Sequence, residues 1–348
     1  MPKRTVFISR DDQIQALLDT IHVELEKHDI NVVRGPTPDP GSKLVYRPED
    51  YNALFSKAEV MTFSSRSSCT RDVMLAAPRL RGIVAPAIGV ETIDVPAATE
   101  LGIIVGHSAV PENYMSMAES TVILMLALRY QLHRSEQVLR GQVSRPPKDK
   151  SWSHMMRGCT IGLIGYGRIA AATAKLLHAF DVKILAYHPR LSPKDVPEGV
   201  HLVELDTLLR ESDLVSVHVS ITDSSKCIVG ARELGLMKTS AYLLNTARGQ
   251  AVDENALCDA LARKQIAGAA LDTFATEPLP QNSPLRTFEN VILTPHMVGH
   301  TQESFTANAA AAVENILRVL AGEPPLYCKN PQVLDPWRKR LTLLSGTN

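Results

Sequence analysis

The sequence of 348 residues predicts an α/β protein made of two doubly wound parallel-sheet domains. Two observations carry this. Short apolar runs alternate with helix-spaced segments along most of the chain. In mid-chain, residues 158–190 read GCTIGLIGYGRIAAATAKLLHAFDVKILAYHPR, which is a strand, a tight glycine turn, a helix and a second strand.

The N-terminal part alternates from the start. Thr5–Ser9, Ile30–Arg34, Glu59–Ser64, Leu80–Ala85 and Ile103–Gly106 read as strands. Asp11–His28, Glu49–Ala58, Arg71–Ala77 and Thr92–Leu101 read as helices, the first with an acidic opening turn. Pro111–Gly141 predicts one long helix, with Pro near its start and Gly at its end. Met115, Ala118, Val122, Met125, Leu126 and Arg129 recur on it at helical spacing, and its wide apolar face needs a neighbouring domain or a second subunit. Gln142–His154, basic and Pro-containing, reads as a linker or surface loop. Beyond the glycine turn the strands are Leu214–Ile221, Ala241–Asn245, Gly268–Asp272 and Val291–Thr294, with a helix at Glu254–Lys264. The chain closes with a helix, Gln302–Ala321, and a Pro-containing tail.

Composition narrows the class. Hydrophobic residues make up 45% and charged residues 21%, as in a packed globular protein. Lys+Arg and Asp+Glu both number 37, so no basic footprint for nucleic acid or an anionic membrane is present. The longest apolar run, Thr121–Leu128, is too short to span a bilayer. Five cysteines without metal-type spacing read as reduced thiols. The N-terminus lacks an apolar signal core, and together these features imply a cytoplasmic protein.

The glycine turn points to a dinucleotide. Gly165 permits the sharp turn, Gly167 lets a pyrophosphate approach the backbone, and Ala170 keeps the helix close to the sheet. Arg168 and Ile169 open the helix, whose free N–H groups and dipole favour phosphate. The second strand ends Tyr187-His188-Pro189-Arg190 and carries no carboxylate for a ribose 2′-hydroxyl. Arg190 suits a 2′-phosphate instead, which favours NADP(H) over NAD(H) and leaves NAD(H) possible.

Three later segments could do chemistry at strand ends. They are Asn245-Thr246-Ala247-Arg248-Gly249, the stretch from Asp272 to Pro278 with Glu277, and Thr294-Pro295-His296. An arginine, a carboxylate and a histidine suit reduction of a 2-keto acid. Arg248 would hold the carboxylate and polarise the carbonyl. His296 would deliver the proton, and Glu277 would orient the imidazole.

Here the chain resembles the D-isomer-specific 2-hydroxyacid dehydrogenase family, most closely its glyoxylate/hydroxypyruvate reductases. The resemblance rests on GxGxxA at Gly165, NTARGQAVDENAL at Asn245, ALDTFATEPLP at Ala270 and NVILTPHMVGHT at Asn290, with lesser support from IGVETIDV at Ile88 and MAES at Met117. It implies a Rossmann-type dinucleotide-binding domain of residues 108–298, inserted into a flavodoxin-like substrate domain of residues 1–107 and 299–348. It implies Arg248, Glu277 and His296 as the catalytic set, and the backbone N–H groups of Ile88 and Gly89 as a cradle for the substrate carboxylate. By the same resemblance, the cofactor contacts are Gly165, Gly167, Arg168, Ile169, His188, Arg190, His218, Thr246, Ala247, Asp272 and His296. Asp272 would meet the nicotinamide carboxamide and Thr246 would line its pocket. Homodimers joined through the cofactor domain are common in the family. The family's His-x-Pro reads His218-Val219-Ser220 here. Ser64-Ser65 stands where phosphoglycerate dehydrogenases have Arg-Ser, which argues against a phosphorylated substrate. Two other activities share the superfamily. A formate dehydrogenase would carry Gln in place of Glu277. A dinucleotide-sensing corepressor would bind partner peptides and turn over no keto acid.

Overall fold

The computed structural model describes residues 3–39, 42–147 and 153–345. The strands among these are β1 (Thr5–Ile8), β2 (Asn31–Arg34), β3 (Val60–Thr62), β4 (Gly82–Ala85), β5 (Ile104–His107), β6 (Thr160–Ile164), β7 (Lys183–Tyr187), β8 (Val200–Leu202), β9 (Leu214–Val217), β10 (Tyr242–Asn245), β11 (Gly268–Leu271) and β12 (Val291–Leu293). The helices are α1 (Gln15–Lys27), α2 (Tyr51–Phe55), α3 (Arg71–Leu75), α4 (Val95–Glu100), α5 (Pro111–Arg129), α6 (Leu132–Leu139), α7 (Arg168–Leu177), α8 (Leu205–Glu211), α9 (Ala231–Leu236), α10 (Glu254–Ala262), α11 (Gln302–Ala321) and α12 (Leu334–Ser345). The chain divides into two compact units, residues 1–113 with 301–348, and residues 114–300. The first division falls inside α5.

The first unit is a five-stranded parallel sheet in the order β2-β1-β3-β4-β5. All its strands but the edge strand β2 are buried on both faces, so they read as short apolar runs. Alternate residues serve opposite layers. Phe7, Met61, Ile83 and Val105 pack with Phe55, Val73, Met74 and Ala98 on one side. Val6, Ile8, Val60, Val84 and Ile104 pack on the other side with Leu18 and Ile21 of α1, Ile316 and Val319 of α11, and Trp337 of α12. The chain's last segment thus supplies part of a layer begun by its first. It also runs along β5. His107 N–H donates to Tyr327 O (3.0 Å) and Lys329 N–H to Val105 O (2.8 Å). The fully buried Asn330 accepts from Val105 N–H and donates to Ile103 O and Thr99 Oγ1.

The second unit is a seven-stranded parallel sheet in the order β12-β11-β10-β9-β6-β7-β8. The order reverses at β6, where the glycine turn sits, as in a doubly wound dinucleotide fold. Val122, Met125 and Leu128 of α5 and Ala170, Ala174 and Leu177 of α7 cover one face. Leu208 and Leu209 of α8, Leu234 of α9, and Leu257 and Leu261 of α10 cover the other.

Several elements depart from the sequence reading. The helix expected over Pro111–Gly141 is two helices, broken at Tyr130-Gln131. Gln131 is left-handed (φ 49°). The freed carbonyls find partners outside the helix: Arg129 O accepts from His154 N–H and Tyr130 O from Ser153 Oγ. Helix α1 starts at Gln15 rather than Asp11, because the Asp11 carboxylate binds Gln13 N–H (3.0 Å) in a turn. Its first turn is therefore not acidic. Helix α4 starts at Val95, where Asp94 caps Ala97 N–H, and not at Thr92. Glu49–Ala58 is a 3₁₀ turn followed by the short α2. Strand β9 ends at Val217 rather than Ile221. The C-terminal tail carries α12, and β8, α8 and α9 have no counterpart in the sequence reading. Residues 148–152 of the expected linker lie outside the described residues.

Candidate active site

The turn after β6 is built by its glycines. Gly165 has φ +90°, and a Cβ there would lie 2.8 Å from His218 O. Only glycine combines that backbone with that approach. Gly167 precedes α7, whose first turn has no side-chain cap, and a Cβ on it would meet nothing within 4 Å. Exposed Gly167 and Arg168, half-buried Ile169 and buried Ala170 follow in order. An uncapped helix N-terminus with open space before it fits a pyrophosphate. His218, at the end of β9, sits against this turn. Its Nε2 pairs with the buried Ser216 Oγ at 3.0 Å, and burial pushes the imidazole down to about 4.

At the end of β7, His188 Nδ1 accepts Arg190 N–H (3.2 Å). The exposed Arg190 guanidinium has no partner among the described residues.

The loops after β10, β11 and β12 meet. Asn245 shapes the first of them: its Oδ1 accepts Ala247 N–H (3.1 Å) and its Nδ2 donates to Arg248 O (2.9 Å). Arg248 Nη1 donates to Ala247 O (2.7 Å). Thr246, buried, lies 3.3 Å from Thr121 Oγ1 of α5. The next residue after Arg248, Gly249, is pressed onto the second loop. A Cβ there would lie 1.9 Å from the carbonyl carbon of Phe274.

That second loop carries the carboxylate. Glu277 Oε1 accepts Phe274 N–H (3.0 Å), which leaves Oε2 for His296 Nδ1 at 2.8 Å. His296 is left-handed (φ 58°) on the third loop. Asp272 anchors that loop. The buried Oδ1 of Asp272 accepts Thr294 Oγ1 (2.7 Å), Met297 N–H (3.0 Å) and Val298 N–H (3.2 Å). Burial raises the Asp272 carboxyl, and these donors oppose the rise. The structure therefore pairs His296 with Glu277, and packs the loop that carries Arg248 onto the loop that carries Glu277.

Sequence reasoning missed the Gly249 contact. Its signal was present as the glycine that follows Arg248 in NTARGQ. The anchoring of residues 294–298 on Asp272 had no sequence signal.

Ile88 and Gly89 belong to the first unit, in the loop after β4. His107 Nδ1 bonds Ile88 O at 2.9 Å. Neither the Ile88 nor the Gly89 N–H has a partner among the described residues. No group of three metal-ligating side chains occurs among the described residues. None of their helices is long and apolar enough to cross a membrane.

A dinucleotide turn at the switch point of a Rossmann-order sheet, with a paired histidine and carboxylate at the same strand ends, defines a nicotinamide-dependent oxidoreductase. Comparison with known proteins agrees. The family described as D-isomer specific 2-hydroxyacid dehydrogenase, NAD binding domain, matches residues 122–298. A glyoxylate reductase of Thermofilum pendens is 43% identical over 272 residues, covering 76% of this chain and 78% of its own. One from Aeropyrum pernix is 34% identical over 343 residues, covering 96% and 98%. A protein of Thermus thermophilus with a solved structure superposes with a TM-score of 0.80 at 30% identity, over 93% of this chain and 99% of its own. The chain belongs to the D-isomer-specific 2-hydroxyacid dehydrogenases.

Proposed function

We propose that the protein reduces a small 2-keto acid of the glyoxylate or hydroxypyruvate kind to the D-2-hydroxy acid. The observation that carries this reading is the His296–Glu277 pair at 2.8 Å. With Nδ1 held by the carboxylate, Nε2 is the ring nitrogen left to give its proton to the carbonyl oxygen. Arg248 binds the substrate carboxylate and polarises the carbonyl. The dinucleotide, when bound, supplies the hydride that reaches C2. Hydride on carbon and proton on oxygen together turn C=O into CH–OH. In the first unit, Ile88 and Gly89 offer N–H groups without a partner among the described residues, which suit a carboxylate. In the cofactor site, Gly165, Gly167, Arg168 and Ile169 take the pyrophosphate, His188 and His218 flank the adenosine side, and Thr246, Ala247 and Asp272 serve the nicotinamide side.

NADP(H) is the preferred dinucleotide in this reading. The β7 end lacks a carboxylate, and the Arg190 guanidinium is exposed and unpaired among the described residues. The protein acts in the cytoplasm as a homodimer joined through the cofactor unit. Support for the dimer comes from Ile123, Tyr130, Leu132 and Leu139, large apolar side chains exposed on or beside α5 and α6. The five cysteines are free thiols, as a reducing compartment requires.

The test is the initial rate of reduced-nicotinamide oxidation. NADPH and NADH are each tried with glyoxylate, hydroxypyruvate, pyruvate and phenylpyruvate. Turnover of at least one acid is expected, with Arg248→Ala and His296→Ala each losing most of it. Arg190→Ala should raise the KM for NADPH tenfold or more and that for NADH less than twofold. Silence across the panel, or near-normal turnover by His296→Ala, overturns the reading.

A further inference from the structure

The MAES segment, Met117 to Ser120, lies on α5 within the unit of residues 114–300. The reductase chemistry leaves it unused. Ser116 and Ser120 are both buried, stand one helical turn apart and share a face. The Ser116 hydroxyl donates to Gly299 O. Ser120 Oγ lies 2.6 Å from Val298 O and 2.8 Å from Ser116 O, so its single proton has an acceptor on the loop and one on the helix. A serine inside a helix ordinarily returns its proton to the carbonyl four residues back. The nearer acceptor here is the loop. The helix and the loop also approach closely, since a Cβ on Gly299 would lie 2.1 Å from Met117 Sδ.

These ties fall on the segment directly after His296. Asp272 Oδ1 accepts Met297 N–H and Val298 N–H from one side, at 3.0 and 3.2 Å. Ser120 and Ser116 meet the carbonyls of Val298 and Gly299 from the other. Val298 is therefore held at both of its polar backbone groups. His296, two residues before it, has the left-handed backbone (φ 58°) that a non-glycine residue keeps only when its surroundings fix it. The next residue of α5, the buried Thr121, treats another loop alike. Its Oγ1 donates to Met117 O (2.8 Å) and so accepts from Thr246 Oγ1, 3.3 Å away. Thr246 is two residues before Arg248, as Val298 is two residues after His296. Adjacent hydroxyls on one helix thus brace the loops of the histidine and the arginine.

We propose that Ser120 is a positioning residue for the proton donor. With Asp272 opposite, its hydroxyl fixes the Val298 peptide, and through it the angle at which His296 faces Glu277 and the substrate carbonyl. Thr121 sets the Arg248 loop against the same helix. Ser120 acts through His296 and gives no proton to the substrate. This rests on reading the chain as a keto-acid reductase with His296 as the acid.

The test is single-turnover oxidation of the reduced dinucleotide by stopped flow, with the full chain and its preferred keto acid. Ser120→Ala should slow the saturated rate about tenfold, because a misaimed proton donor loses rate rather than binding. Half-saturation by the acid and dinucleotide affinity should each stay within about twofold. Ser120→Thr keeps the hydroxyl and should recover about half of the lost rate or more. Thr121→Val removes an equally buried hydroxyl from the Arg248 loop. It should raise the half-saturating keto acid about threefold while the saturated rate changes less. A merely structural role for α5 would move the rate and both affinities together in both variants, and that result overturns the inference. A Ser120→Ala rate within about twofold of wild type overturns it as well, as does a stably folded Ser120→Thr that recovers nothing. If Ser120→Ala fails to fold, Ser120→Cys takes its place, because a thiol keeps the volume and donates only weakly. Wild-type turnover with unaffected variants sinks this inference and leaves the reductase reading standing. No turnover of any acid by wild type removes both.

Discussion

Replacing Gly249 by alanine touches no polar group, yet it should damage both stability and catalysis. The added Cβ would lie 1.9 Å from the Phe274 carbonyl carbon, 2.0 Å from its oxygen and 2.4 Å from Ala275 N. Ordinary contact begins at 3.4 Å, so the two loops must part by about 1.5 Å. Both sides of the clash are backbone, and no rotamer change relieves it. Overpacking of this kind costs about 1–3 kcal/mol, and a backbone clash belongs at the upper end. For a unit of this size about 3 kcal/mol lowers the melting temperature by roughly 6–12 °C. The displaced segment carries Phe274 N–H, which fixes Glu277 Oε1, and so the parting moves Arg248 relative to the Glu277–His296 pair. A misplacement of about 1 Å can cost roughly 100-fold in rate. Calorimetry gives the melting temperature, and kcat/KM for the preferred keto acid gives the catalytic loss. A Gly249→Ala protein that melts within 2 °C of wild type and keeps more than half of kcat/KM would refute the argument.

Three further outcomes follow from individual side chains. Glu277→Gln loses the 2.8 Å bond to His296 in its charge-assisted form. Such bonds are worth about 1.5–3 kcal/mol, and partial exposure of this pair favours the lower part, so kcat should fall about 10- to 30-fold; a loss seen only in dinucleotide KM would contradict this. His218 is held neutral by burial, with its titration moved from 6.5 down to about 4. The unfolded chain takes up that proton first. Its contribution, about 3 kcal/mol at most, is therefore full above pH 6.5 and is lost as the pH falls toward 4. Urea midpoints across that window should decline less steeply in His218→Gln. Glu59, nearly buried, pairs with Arg4 and with Arg81 Nε (3.0 Å). Glu59→Ala strands the largely buried Arg81 cation and should cost about 3 kcal/mol in urea unfolding, while an unchanged midpoint would show that the pair contributes nothing.

Much of the second unit was legible because its strands are short, apolar and punctuated by glycine. The turn at Gly165 and the segments ending in Arg248, Glu277 and His296 each sit at a strand end that periodicity locates. Other elements left weaker traces. Strand β8 has only three residues, and a pattern of that length carries little period. Helices α8 and α9 are hardly two turns long. The break at Gln131 follows from tertiary bonds to residues 153 and 154, which local propensity does not contain. Helix α12 was obscured by the prolines before it and by Pro336 in its first turn, although proline is tolerated there. In the site, residue types identified the His–Glu pair. The second oxygen of Glu277 on Phe274 N–H and the three donors on Asp272 depend on loop paths that only the fold defines.

The return of residues 327–330 along β5 bears on how the molecule is made. Synthesis completes the contiguous residues 114–300 while the first unit still lacks α11, α12 and the segment that covers its edge strand. Until the final residues emerge, Val84 and Ile104 miss the side chains of Ile316, Val319 and Trp337, and β5 presents open N–H and C=O groups. Such an edge is a template for pairing with another chain. The two units are therefore completed in the order opposite to that in which they begin: residues 114–300 are all present before the first unit, with its open edge, receives residues 301–345.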